Sequence, residues 1–190
     1  MRNVTLLLLF SSITLAAPAQ GVFSNQTNVA LQKVIEDYPN QFRNIKGDLL
    51  AENSKITDYK SKVEVPGSIG CVLTQYGNDK GAYSWKCEVF ESGDFDIAKS
   101  KFSELYNQIH NTIIKVEGEK PFILNGKYEV PGKEKKSTSI NFHLLPSPEI
   151  MHKLKVELNL QKYASEWKVV LNVFEQEGQG DYAAERNNLQ

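Results

Sequence analysis

The chain repeats part of its own sequence, and this narrows the folds open to it. Val63-Glu64-Val65-Pro66-Gly67 returns 65 positions later as Tyr128-Glu129-Val130-Pro131-Gly132. Leu31, Val34, Tyr38, Phe42 and Ile45 find Phe95, Ala98, Phe102, Tyr106 and Ile109 at an offset of 64. Ser84-Trp85-Lys86 is echoed by Glu166-Trp167-Lys168. A helix followed by strands, met twice, predicts two similar units packed together. The expected fold class is α+β: antiparallel sheet with helices on one face, from a tandem duplication of an α–β–β–β unit.

The apolar spacing supports this order. Residues 28–45 carry Leu31, Val34, Tyr38, Phe42 and Ile45 at helical intervals. Pro39 interrupts them, which predicts a kink or two short helices. Tyr59, Ser61, Val63 and Val65 then alternate with Lys60, Lys62 and Glu64, as in a half-buried strand. Asp94 is placed to cap a second helix with a stripe of Phe95, Ala98, Phe102, Leu105, Tyr106 and Ile109. Leu124, Gly126, Tyr128 and Val130 are expected to form a strand like the first of the earlier unit. Ile140, Phe142 and Leu144 mark the next strand. Leu154 to Leu160 and Trp167 to Val173 alternate around a turn near Ala164 and mark the last hairpin.

The cysteines fix one register. Gly77-Asn78-Asp79-Lys80-Gly81 is a turn cluster. A hairpin folded about Asp79 places Cys71 directly opposite Cys87, on the face shared with Ile69, Leu73, Trp85 and Val89. A non-hydrogen-bonded antiparallel pair brings two such residues within reach of a disulfide. The pair is therefore read as a structural bridge, which also removes both thiols from catalysis.

The ends set the compartment. Arg2 precedes an apolar run over residues 4–15, and Ala17-Pro18-Ala19 is a small-residue cleavage site. The run is shorter than the ~20 residues of a spanning helix. The expected organisation is a signal peptide over 1–19, a loose segment over 20–27, units over 28–92 and 93–177, and a flexible tail over 178–190. The protein is expected to be exported, to a periplasm or outside the cell, with no membrane span. Asn25-Gln26-Thr27 is an N-x-T sequon, relevant in a glycosylating host. With Arg2 removed, 21 basic residues face 23 acidic ones. That balance gives no electrostatic reason to expect nucleic acid.

No pattern of residues specifies a reaction. His110, His143 and His152 lie in different elements, without metal-ligand spacing. There is no G-x-S-x-G elbow and no phosphate-binding glycine loop. Glu64 and Glu129 are the repeat's equivalent acids, but each alternates with lysines as on a solvated face. The only basic cluster, Lys133, Lys135 and Lys136, contains Glu134 and no aromatic residue. No catalytic residue, metal ligand or cofactor is assigned.

Phe90 and Phe174 draw more interest. Strict alternation puts both on the face opposite Trp85 and Trp167, with Val170 beside Phe174. Exposed apolar groups mark partner surfaces. The layout resembles, in architecture alone, tandem α/β binding proteins such as the β-lactamase inhibitory proteins. No residue motif links the chain to that family, and no site is carried across. The expected function is an exported, non-enzymatic binding module for a protein or peptide. It would use an open sheet face or the groove between the units, with Phe90, Phe174 and Val170 as binding residues. The alternatives are a hydrolase or isomerase with a carboxylate site such as Glu64 and Glu129, and a structural envelope component that associates through strand edges.

Overall fold

A computed structural model describes residues 25–77, 82–147 and 149–175. The expected signal peptide, most of the 20–27 segment, the centre of the Asp79 turn and the expected 178–190 tail lie outside these residues. Helix α1 (Gln26–Asp37) leads into strands β1 (Lys46–Glu52), β2 (Ile56–Ser61), β3 (Gly70–Tyr76) and β4 (Tyr83–Ser92). Helix α2 (Phe95–Ile109) leads into β5 (Ile113–Ile114), β6 (Phe122–Asn125), β7 (Ser137–Leu145), β8 (Leu154–Tyr163) and β9 (Glu166–Glu175). The nine strands form one sheet in the order β1-β2-β3-β4-β9-β8-β7-β6-β5, every pair antiparallel.

The fold class is α+β, as expected. Among the described residues four strands follow α1 and five follow α2, against the three per unit expected. The second copy of the Val-Pro-Gly loop also differs from the first in conformation. Val65 is 3 % exposed, whereas Val130 is 62 % exposed. Pro66 is exposed and Pro131 buried. Pro66-Gly67 forms a tight turn closed by a Ser68 N–H donating to the Val65 carbonyl at 2.9 Å, with Gly67 at φ +80°. A proline followed by a glycine at positive φ is the composition such a turn requires. Gly132 instead accepts, through its carbonyl, the Lys135 N–H. The likeness of sequence is not matched by likeness of shape at this loop.

Each helix begins on a capping side chain. The Asn25 side chain accepts from Thr27 N–H, so α1 starts before residue 28. The Asp94 carboxylate accepts from Asp96 and Ile97 N–H. Pro39 lacks the N–H that would continue α1, and the chain passes into a 3-10 turn over Tyr38–Asn40. Asp37 then fastens the following bend. Its carboxylate accepts from the backbone of Asn44 at 2.9 Å and Ile45 at 3.1 Å, and from the side chains of Asn44 at 2.6 Å and Asn40 at 3.3 Å. Asp37 is 5 % exposed. An amide in its place would turn one donor toward other donors. Asp37→Asn is therefore expected to cost about 2 kcal/mol, read as a lower urea midpoint with unchanged slope; an unaltered midpoint would remove this role from Asp37.

One apolar cluster runs through both halves. It joins Leu31, Val34 and Ile35 of α1, Phe102, Leu105 and Ile109 of α2, and the helix-facing residues of the sheet. α2 packs across β4, β9 and β8, and α1 packs against α2. Phe95 meets Trp167 edge-on at 4.8 Å. Cys71 and Cys87 are register partners and are bridged, with Cα atoms 4.0 Å apart.

Two expected strands end early. β2 stops at Ser61 and β6 at Asn125, so residues 62–65 and 126–130 are loops rather than strand. α2 stops at Ile109, where Asn111 takes the left-handed conformation that commonly closes a helix. β1 was not expected; its sequence, Lys-Gly-Asp-Leu-Leu-Ala-Glu, does not alternate.

Candidate functional site

The helix side of the structure contains a groove of about 570 Å³ between the two halves. One wall is the start of α1, Asn25 to Thr27. The second is the β2–β3 turn, Val65 to Gly67. α2 supplies Lys101, Glu104, Leu105 and Gln108, and the end of β4 supplies Val89 and Phe90. Val65, Val89 and Leu105 are core residues, so the floor is apolar. The rim is polar and linked within itself. Thr27 Oγ1 donates to Gln108 Oε1 at 2.9 Å, and Gln108 Nε2 donates to Glu104 Oε1 at 3.0 Å. Lys101 Nζ reaches the same Glu104 oxygen at 2.9 Å.

Phe90 belongs to this groove and not to the outer face. Glu88 pairs with Val170, but Phe90 pairs with Val169, with a register shift between them. The extra residue, Val89, is a β-bulge that reverses the alternation. Phe90 therefore faces the same side as Val169 and packs against the core. This overturns the expected grouping of Phe90 with Phe174. The signal was present in the sequence: Val89 and Phe90 are adjacent apolar residues where strict alternation demands a polar one.

The outer face of the sheet is a web of polar side chains. Lys168 Nζ lies 2.8 Å from Glu88 and 3.3 Å from Glu91. The Glu88 bond, with Glu91 adding to it, holds Lys168 above the usual lysine range although burial opposes this. Asn172 Nδ2 donates to Glu157 at 3.0 Å, and Thr74 Oγ1 to Asp58 at 2.6 Å. Phe174 is half-buried there, opposite Ser84 and Lys155. Val170 is 1 % exposed and lies outside the core cluster, beneath this polar layer. It offers no surface to a partner, contrary to its expected place among contact residues. The three sequence-selected residues do not form one patch.

The acids and histidines are dispersed. Glu64 pairs with Lys60 at 3.9 Å, and Glu129 pairs with Lys135 at 2.8 Å, which raises the Lys135 pKa. Glu64 lies in the β2–β3 loop and Glu129 in the β6–β7 loop, and both are exposed. His152 Nδ1 lies 2.7 Å from the Glu149 carbonyl, His143 is exposed on β7, and His110 stacks on Tyr106 at 5.1 Å. Burial, with Glu175 nearby, pushes the Tyr38 hydroxyl up to about 12. None of the three groups with shifted titration lines the groove. Among the described residues no group of three or more His, Cys, Asp or Glu could hold a metal ion, and no helix is long and apolar enough to cross a membrane.

Comparisons with protein-family models, with curated proteins and with solved structures find no match. The architectural likeness to the β-lactamase inhibitory proteins thus has no counterpart among them.

Proposed function

We propose that this chain is an exported, non-enzymatic binding protein that holds a protein or peptide partner in the groove between α1, the β2–β3 turn and α2. The observation that carries the reading is the bulge at Val89. It turns a large apolar side chain, Phe90, out of the sheet alternation and into a groove with an apolar floor. The volume lies in the range of natural ligand sites, roughly 300–1,000 Å³, and accepts an apolar side chain with its flanking backbone. The rim groups Thr27, Gln108, Glu104 and Lys101 already bond to one another. They suit hydrogen bonding to a peptide backbone better than proton transfer. The Ala17-Pro18-Ala19 site and the Cys71–Cys87 bridge support export to a periplasm or the cell exterior.

Phe90 and Phe174 lie on opposite faces of one sheet, so single substitutions separate the two candidate surfaces. The oxidised protein is immobilised and exposed to native extract of its own compartment, and a retained partner is titrated against each variant. Phe90→Ser is expected to weaken binding about 30-fold, as for the loss of a central apolar contact worth about 2 kcal/mol. Phe174→Ser is expected to bind like the parent. The opposite pattern would move the site to the outer face, and reproducible absence of any partner would overturn the reading.

A further inference from the structure

We infer that the free edge of β1 is a self-pairing surface, through which two copies of this chain join their sheets antiparallel. Among the described residues β1 ends the strand order, and its one strand neighbour is β2. Its outer edge therefore presents backbone N–H and C=O groups in the plane of the sheet, a template for another strand. Residues 48–52 are exposed, Leu49 at 56 % and Leu50 at 55 %. Two register shifts against β2 break the alternation of β1 and leave both leucines in solvent. The edge carries Lys46 at its start and two register shifts, features that blunt an edge, but it has no proline, and its centre exposes the adjacent Leu49 and Leu50.

The charges select the occupant and the register. An antiparallel pairing of β1 with its own copy, centred on Leu49, sets Leu49 against Leu49. It also sets Lys46 against Glu52 at both ends. Centring on Leu50 instead brings Asp48 against Glu52, a like-charged pair that opposes association. Centring between the leucines places Lys46 against Asn53 and gives no charge pair. The self-complementary register is thus the one that joins opposite charges twice. The other edge of the sheet, β5, is two residues long and provides no ladder for head-to-tail growth. The contact is isologous and closes as a two-fold dimer. This surface is distinct from the Phe90 groove, and either can hold without the other.

The test is sedimentation velocity of the full oxidised chain over a dilution series, with thermal melts confirming that each variant folds. The parent is expected to show a monomer–dimer equilibrium. Leu49→Lys, at an exposed site, puts two like charges at the centre and is expected to raise the dimer Kd at least about tenfold. Lys46→Glu alone and Glu52→Lys alone each create two repulsive pairs and are expected to be monomeric. An equimolar mixture of those two variants restores both opposite-charge pairs and is expected to form heterodimer. A parent that is monomeric at every concentration overturns the inference, as does a dimer indifferent to Leu49→Lys. A mixture that stays monomeric overturns the register.

Discussion

Trp85→Ala is expected to remove about 4 kcal/mol of stability, the middle of the range for truncating a buried aromatic side chain. Trp85 is fully buried and is the largest enclosed side chain among the described residues. It lies opposite Leu73 on β3 and Val173 on β9, so it packs where the two halves of the sheet join. Its indole Nε1–H donates to Ser61 Oγ at 3.0 Å and to the Val63 carbonyl at 3.2 Å. Ser61 Oγ in turn donates to the Val63 carbonyl at 2.7 Å and accepts the Val63 N–H at 3.1 Å. Both therefore keep a partner when the indole is removed, and the loss is mainly one of packing. Trp85→Phe, which retains most of the ring, is accordingly expected to cost about 1–2 kcal/mol. Urea titration of the three proteins checks the order: the midpoints should fall in the sequence parent, Phe, Ala at similar slopes. Since domains of this kind are stable by only about 5–15 kcal/mol, an Ala variant that denatures near the parent would show that Trp85 does not hold the halves together.

The sequence makes Trp85 legible because alternation over Trp85, Cys87 and Val89 is regular and the intervening Ser84, Lys86 and Glu88 are polar. The same rule misplaces Phe90, one residue past the bulge. Alternation reports facing only while the ladder is uninterrupted, and a single extra residue inverts every later assignment. β1 escapes notice for a related reason: its two register shifts erase the period-two pattern. The helix starts are legible from Asp94, and would be from Asn25, because an N-cap is a local contact between neighbours in sequence. Pro39 likewise announces the end of α1. The groove is another matter. Thr27, Phe90 and Gln108 are brought together by the packing of α1 on α2 across β4, and no local pattern encodes a contact between residues 81 positions apart. Val170 fails for the converse reason: an apolar residue on a solvent face reads as exposed until the long side chains that cover it are placed. The repeated Val-Pro-Gly motif, which looked most informative, folds differently in its two positions. A turn is set by its flanking anchors as much as by its own residues. Val65 is held in the core, and in the second copy Pro131 takes the buried place.

Removing the Cys71–Cys87 bridge, by reduction or as Cys71→Ala with Cys87→Ala, is expected to cost about 3 kcal/mol in the chain-entropy account of a loop this size. The symmetry about Asp79 that places the cysteines opposite one another holds for every pair from Gly70–Glu88 to Gln75–Tyr83. The bond therefore joins residues that the ladder already opposes, and its main effect is on the unfolded chain. The consequence reaches further than one hairpin. β3 carries the β2–β3 turn on one side, and β4 carries Val89 and Phe90 at its end. Two parts of the groove, the β2–β3 turn and the Val89–Phe90 end of β4, hang from the two bridged strands, and β4 is also the seam with β9. Amide exchange in β2 and β3 is thus expected to accelerate on reduction, ahead of exchange in β8 and β9, which retain their own long ladder. A partner bound through Phe90 should then be released by reductant at temperatures where the parent fold persists. A bridge whose loss changes neither the denaturation midpoint nor exchange in β2 and β3 would be incidental to the fold. Loss of both would tie the groove's integrity to an oxidising environment, which is the physical link between the export reading and the binding reading.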